Sequence, residues 1–322
     1  MNELLLIEFF TSQAYIKNLK EKQIFTEALN LVNKIAVDLI QNPDLKKLSI
    51  IRNQNLKKVL NKKIFYHETN PKKNIFDIVD KLSLKIPTIL IAPESDRIAI
   101  KLTEYLGRKT KLLNSSLKSI KVFSSKFLTI NELIKNNIPC LNIKNLNQVN
   151  TNEIISKPIY GAGSENIRIF NKKNFKLMKG FIYQEFYNGD PGSFSMLCLK
   201  KKFKVISCNL HIMKKDKFKI SQIGSIIGGM EAYRSELEKL AEKIISKFDN
   251  LYGYIGVDVI RNKNQIKVVE INCRFTSTYI GLKNAYGDKA IKLISDFYVK
   301  EHINQEINLK LLKKKKIIFY EK

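Results

Sequence analysis

The sequence predicts a mixed α/β (α+β) protein in which a small open parallel sheet precedes a mainly antiparallel one. Three observations carry this. Up to about residue 114, short apolar strands alternate with stretches of helical periodicity, the pattern of a parallel α/β layer of Rossmann type. From about residue 155 onward, β-branched and aromatic runs follow one another with turn residues between them, the pattern of antiparallel ladders. The length of 322 residues and the 44% hydrophobic content suit two or three domains or subdomains with a sizeable core.

Residues 4–10 read as a first strand. Phe25, Ala28, Leu29, Val32, Ile35, Ala36 and Leu39 then keep helical spacing, and Asn42-Pro43 stops the helix. Residues 48–51 and 64–66 read as short strands. Ile75, Ile78, Val79 and Leu82 make a short amphipathic helix. Residues 87–93 read as a buried strand, Asp96 as the cap of a helix that Gly107 ends, and residues 111–113 as another strand. Two short helices follow, through Leu117, Ile120 and Phe123 and then Lys126 to Asn137. Residues 155–170 read as strand, glycine loop, strand, and 181–187 as a strand. Gly189-Asp190-Pro191-Gly192 reads as a turn, 193–199 and 204–210 as strands, and Gly224, Gly228 and Gly229 as a flexible loop. Residues 234–248 form a helix whose apolar stripe is core. A last helix carries Ala290, Ile291, Ile294 and Phe297, and 309–320 reads as a final strand around its lysines.

The chemistry concentrates at residues 253–281. Tyr254 to Ile260 and Gln265 to Ile271 are two strands joined by Asn262-Lys263-Asn264, a hairpin. Glu270 and Asn272, two apart, share a face, and a turn centred near Asn264 sets Asp258 opposite Glu270. Like charges so placed repel, so a positive group should sit between them. Two carboxylates and a carboxamide oxygen are hard ligands of the kind Mg²⁺ takes alongside phosphate oxygens. Arg274 follows closely enough to meet an anion there. Read from these residues alone, an exposed hairpin with solvated acids is the equal alternative. Gly161 and Gly163 permit close backbone approach to a phosphate, with Lys157 beside them, although a plain two-glycine turn fits as well. No Gly-Lys-Ser/Thr follows, so this is not a P-loop. Glu94 falls just beyond the strand at 87–93, where parallel sheets bind ligands; a helix N-terminal charge is the competing reading.

The net charge of +27 suggests a polyanionic partner, but the lysines are spread along the chain and outnumber the arginines. Only residues 313–316 form a basic run, so an anionic small-molecule substrate is expected and nucleic acid is not. No apolar run is long enough to span a membrane, and the first residues lack the basic start of a signal peptide. Cys140, Cys198, Cys208 and Cys273 have neither disulfide-like nor zinc-like spacing, which predicts free thiols and a cytoplasmic setting.

The order of these parts resembles the ATP-grasp superfamily of carboxylate–amine ligases. The resemblance runs over roughly residues 90–300, on Lys126, KPIYGAGS at 157–164, QEFYNGD at 184–190, GVDVI at 256–260 and EINCRFTSTYIGL at 270–282. Within that superfamily, IAPE at 91–94, LNSS at 113–116 and the stretch from Glu270 to Gly281 look like the tyramine–glutamate ligase family of methanofuran biosynthesis, part of one-carbon metabolism. The resemblance implies a pre-ATP-grasp domain at 1–114, a small ATP-grasp subdomain with its glycine-loop lid at 115–180, a large subdomain at 181–305 and a basic segment at 306–322. It implies ATP and Mg²⁺, or Mn²⁺ in its place. Lys126 and Lys157 would hold the phosphates, and Gly161, Ala162, Gly163 and Ser164 would close over them. Glu185 and Phe186 would line the adenine site, with Asp190 near the ribose. Asp258, Glu270 and Asn272 would hold the metal, and Arg274 would face the transferring phosphoryl group. Glu94, Thr276, Thr278 and Tyr279 would meet substrate.

The implied activity joins L-glutamate to tyramine, or tyrosine, through an acyl phosphate, with ADP formed. The partners would be small molecules (ATP, an amino acid, an amine), with no membrane, and a homodimer is compatible. The alternatives are another ATP-grasp ligase of D-alanine–D-alanine type, and a basic nucleic-acid-binding protein on an inactive scaffold. The sequence departs from the family pattern at Ser125, at Cys273 and at Asn209-Leu210-His211.

Overall fold

The computed structural model describes residues 1–13, 19–82, 86–143, 152–163, 166–174, 177–216, 218–263 and 265–319, with backbone alone at 19–23 and 174. Four parallel strands open the chain: β1 (Glu3–Glu8), β2 (Lys47–Asn53), β3 (Ile64–Thr69) and β4 (Thr88–Ile91). Apolar runs such as LLLI and TILI supply residues for two buried faces. Leu4 and Leu6 pack into one core with helices α1 (Leu19–Leu39) and α7 (Leu282–Lys300), whereas Leu5 and Ile7 pack into another with α2 (Ile75–Lys81) and α3 (Ile98–Gly107). The strand order is β3-β2-β1-β4. The chain therefore leaves β1 towards one edge and returns to β4 on the other side. A crevice opens between the carboxyl ends of β1 and β4, where such sheets bind ligands.

Two expectations in this part are corrected. Residues 111–113 form no strand; Leu112 makes one isolated pairing with Thr88. Asp96 does not cap α3. It and Arg97 adopt left-handed backbone, and the amide of Ala99 is already taken by the carbonyl of Pro93 at 3.0 Å.

Short helices α4 (Leu117–Phe123) and α5 (Lys126–Lys135) follow, capped by the hydroxyls of Ser116 and Ser125. Nine strands then form an antiparallel sheet: β5 (Glu153–Pro158), β6 (Arg168–Asn171), β7 (Phe181–Glu185), β8 (Asp190–Leu199), β9 (Lys202–Asp216), β10 (Lys219–Ile227), β11 (Tyr252–Asn262), β12 (Gln265–Asn272) and β13 (Lys315–Ile318). Their order is β12-β11-β8-β9-β10-β6-β5-β7, and β13 adds to the far half of β10. Helix α6 (Arg234–Lys247) buries Leu237, Leu240, Ala241, Ile244 and Ile245 against the β8–β9 and β11–β12 strands. Among the described residues β6 and β10 pair at Arg168 with Lys219, and the Ile169 amide donates to the Phe218 carbonyl at 3.0 Å, whereas β10 and β9 pair along seven positions.

Glycines read as turns prove to be points of close approach within this sheet. The run at 189–192 is not a free turn, because β8 begins at Asp190 opposite Arg261. A Cβ at Gly192 would lie 2.5 Å from the carbonyl oxygen of Asn209. Likewise Gly224 lies inside β10, at a bulge against β9, and a Cβ there would lie 2.4 Å from the Ile317 carbonyl oxygen. The final strand is four residues long, not twelve, and Tyr320 lies outside the described residues. Among the described residues, no helix is long and apolar enough to cross a membrane.

Candidate active site

A cavity of about 350 Å³ lies between the crevice of the parallel sheet and the antiparallel sheet. The β11–β12 hairpin forms one wall. Its register pairs Asp258 with Glu270 and Gly256 with Asn272, and a bulge follows Asp258. The repulsion this register creates is met by a cation from another element. Lys126, first residue of α5, places its ammonium 2.7 Å from Glu270 and donates to the Gly161 carbonyl at 2.9 Å. Its backbone amide is also held, by the carbonyl of Ile159 at 2.9 Å. Asp258 accepts the Asn272 amide at 3.3 Å and lies 3.4 Å from His211 Nε2. Burial pushes the Glu270 carboxyl up, but Lys126, then Lys157 and Arg274, pull it down further, so it stays ionised.

Lys157 is the last residue but one of β5 and is 6% exposed. Among the described residues its ammonium has no hydrogen-bond or ion-pair partner. Burial, aided by the neighbouring Lys126 charge, pushes its pKa down to about 8, against the pull of Glu270 and Asp258. Arg274 follows the hairpin and makes a two-point contact with Glu94, Nε to Oε1 at 2.9 Å and Nη2 to Oε2 at 2.7 Å. The Thr276 and Thr278 hydroxyls are 2.9 Å apart.

The donor set fits a hard divalent ion. Two carboxylates and a carboxamide share one face, and among the described residues no cluster of three His, Cys, Asp or Glu offers an all-protein cage. That is the arrangement Mg²⁺ uses when phosphate oxygens and water complete its shell.

Of the residues expected at the site, Lys126, Lys157, Gly161, Ala162, Gly163, Glu185, Phe186, Asp258, Glu270, Asn272, Arg274, Thr276 and Thr278 line the cavity. Ser164 lies outside the described residues. Three placements differ from expectation. Glu94 is not on the main cavity wall, because both its oxygens are held by Arg274. Asp190 is exposed in β8, paired with Arg261. Tyr279 is 1% exposed in the core, packed edge-on against Tyr254 and Phe275, and donates its hydroxyl to Asp38 at 3.0 Å.

Sequence reasoning missed Glu8 and Glu27, and it left His211 without a placement; all three line the cavity. His211 Nδ1 lies 3.1 Å from the Ser225 hydroxyl and 2.8 Å from Gln222 Nε2. The signal that drew attention to Glu94, a lone acid at the end of a buried strand, is hidden at Glu8 within the strand read over residues 4–10. The Glu8 carboxylate is 2% exposed and accepts the amides of Phe10 at 3.0 Å and Thr11 at 2.7 Å. Burial raises its pKa, opposed by these hydrogen bonds and by Arg274. All four cysteines are free.

Residues 123–278 match the ATP-grasp domain family. Over 224 residues the chain is 29% identical to a tyramine–L-glutamate ligase of Methanocaldococcus fervens, covering 69% of this chain and 68% of the relative. It is 27% identical to the ligase of that name from Methanocaldococcus jannaschii, covering 69% and 65%. The match thus spans about two thirds of each relative. The fold is shared with an ATP-grasp superfamily protein from Archaeoglobus fulgidus at a TM-score of 0.73 and 21% identity, over 95% of this chain and 90% of that one. The hairpin of opposed acids, the glycine segment and the two lysines thus all fall within residues 123–278, an ATP-grasp domain, in a chain similar to two named ligases.

Proposed function

We propose that the protein joins the γ-carboxyl of L-glutamate to the amine of tyramine, or of tyrosine, at the expense of ATP. The observation that carries the phosphate half is Lys157. A buried ammonium with no partner among the described residues, beside Lys126 and facing two carboxylates, suits a polyphosphate and its metal counter-ion. The substrate half rests on the likeness to the two tyramine–L-glutamate ligases.

In this reading Lys126 and Lys157 hold phosphate oxygens and Gly161–Ser164 covers them. Glu185 and Phe186 flank the base. Asp258, Glu270 and Asn272 hold Mg²⁺, or Mn²⁺ in its place, which when bound neutralises charge on the phosphates. A glutamate carboxylate oxygen attacks the γ-phosphorus, the bond to ADP breaks, and an acyl phosphate forms. The uncharged amine nitrogen then attacks the acyl carbon, the carbon–oxygen bond to phosphate breaks, and the nitrogen gives up a proton as the amide forms. Arg274, at the end of the hairpin, faces the developing charge. Such chemistry asks for positioning and charge neutralisation and for no protein nucleophile. Closure of the glycine segment keeps water from the acyl phosphate.

The test is ADP release by the purified protein with ATP, Mg²⁺ and glutamate across a panel of amines. Turnover with tyramine or tyrosine above the others is expected. Preference for alanine would make it a different amino-acid ligase, and ADP release independent of any amine would overturn the reading.

A further inference from the structure

We infer that the amine substrate docks its ammonium on Glu8, with its apolar body in a slot between the crevice of the parallel sheet and helix α1. The inference deepens the ligase reading above and rests on it.

The cavity has two electrostatic halves. Among the described residues its lysine and arginine side chains, Lys126, Lys157 and Arg274, come from beyond residue 123. The wall contributed by the N-terminal sheet and α1 brings two carboxylates, Glu8 and Glu27, and among the described residues no lysine or arginine. The rest of that wall is apolar: Phe10, Ile24, Ala28, Leu31 and Ile91. An acid against an apolar slot selects a cation carried on an apolar body and disfavours a phosphate or a dicarboxylate.

Of the acids near this wall, Glu8 is the one placed to receive the ammonium. Glu94 is already neutralised by Arg274, and Glu27 is engaged by the Ser277 hydroxyl from the other side. Glu8 ends β1 beside Ile91 of β4, at the point where the strand order reverses. Two backbone amides fix its orientation, each using one lone pair of an oxygen that has another to offer. No lysine or arginine among the described residues forms an ion pair with it; Arg274 and the buried Arg52 act on it only at longer range, which leaves the carboxylate without a direct cationic contact. Arg274 is close enough to influence Glu8 electrostatically, and Arg274 also stands beside the hairpin acids. An ammonium on Glu8 therefore lies next to the place where the acyl phosphate forms, and passing one proton to the Glu8 carboxylate frees the nitrogen lone pair for the attack.

The experiment compares two nucleophiles in the same assay. Hydroxylamine is small and uncharged at neutral pH, and traps an acyl phosphate as the hydroxamate without needing an acid to hold it. With Glu8→Gln, the KM for tyramine should rise about 10- to 100-fold, the loss of one charge-assisted contact, with a much smaller change for hydroxylamine. With Ala28→Leu, which narrows the slot, kcat/KM for tyramine should fall about 10-fold or more while methylamine and hydroxylamine are less affected. Equal KM values for tyramine in wild type and a folded Glu8→Gln would overturn the inference and leave the ligase reading standing. If Glu8→Gln fails to fold, Ala28→Leu decides: an unchanged tyramine-to-methylamine ratio overturns the slot. Absence of ATP-dependent hydroxamate from the wild type with glutamate would overturn the ligase reading itself, and this inference with it.

Discussion

Arg274 grips Glu94 through two hydrogen bonds, of 2.9 and 2.7 Å, and so ties the end of the β11–β12 hairpin to the residues that follow β4 in the other sheet. Both side chains are largely buried, at 19% and 8% exposure. Removing one partner leaves the other charge buried and uncompensated, at a cost of roughly 3–5 kcal/mol. Glu94→Ala should therefore lower the denaturant midpoint with an unchanged m-value. A carboxylate whose role was only to meet substrate would instead alter KM at constant stability.

Asp258 and Glu270 carry the opposite expectation. Asp258→Asn or Glu270→Gln should cut ADP formation by about 100-fold or more, since each removes a charged group from the phosphoryl-transfer site. Asp258→Asn relieves repulsion within the hairpin, so its thermal stability should be nearly unchanged, whereas Glu270→Gln also takes the partner from the buried Lys126 ammonium and should lower stability. Calorimetry with Mn²⁺ and an ATP analogue should show weakened metal binding. Wild-type rates in either variant would remove these residues from the reaction.

Lys157 makes nucleotide affinity depend on pH in a definite direction. With its pKa pushed down to about 8, the side chain is charged below that pH and neutral above it. Only the charged form pairs with phosphate, so ATP should bind more weakly as pH rises from 7 to 9. Lys157→Ala should weaken binding at pH 7 by about 10-fold or more and flatten this dependence. The exposed Lys172 should tolerate the same substitution. Titration calorimetry at three pH values separates these outcomes.

Tyr279 belongs to the packing account. Its hydroxyl serves the buried carboxylate of Asp38, which Lys34 also contacts at 2.5 Å. Tyr279→Phe should cost about 1–3 kcal/mol, the penalty of an unsatisfied buried acceptor, while the KM for each substrate holds. A KM shift without loss of stability would return Tyr279 to the substrate site.

The hairpin was legible in the sequence because alternation along two short strands fixes faces and register together. Asp258 opposite Glu270 follows from the turn at 262–264 alone. The cation that answers them was legible as a requirement but not as a residue. Lys126 reaches Glu270 from 144 positions away, through the placement of α5 against β12. Glycines misled for a different reason: Gly192 and Gly224 give the same local signal whether the backbone turns or another strand presses close, and only tertiary pairing separates the two. Glu8 was overlooked because it falls inside what reads as one continuous strand, residues 4–10. The strand in fact stops at Glu8, and the acid turns back to bind the amides that follow it.

The junction of β6 with β10 has a mechanical meaning. Among the described residues every other seam of the nine-stranded sheet is stitched by several rungs, and this one by the pair Arg168 and Lys219 with the bond from the Ile169 amide to the Phe218 carbonyl. A sheet folds along its weakest row, as paper tears along a perforation. We expect the β5–β6–β7 flap, with the glycine segment at its tip, to yield along that row first, once Lys126 releases the Gly161 and Ile159 carbonyls. The β8–β9–β11–β12 body, which carries the carboxylates, keeps its shape while it does so. Compliance and rigidity are thus assigned to opposite walls of one cavity by nothing more than the number of rungs in each seam.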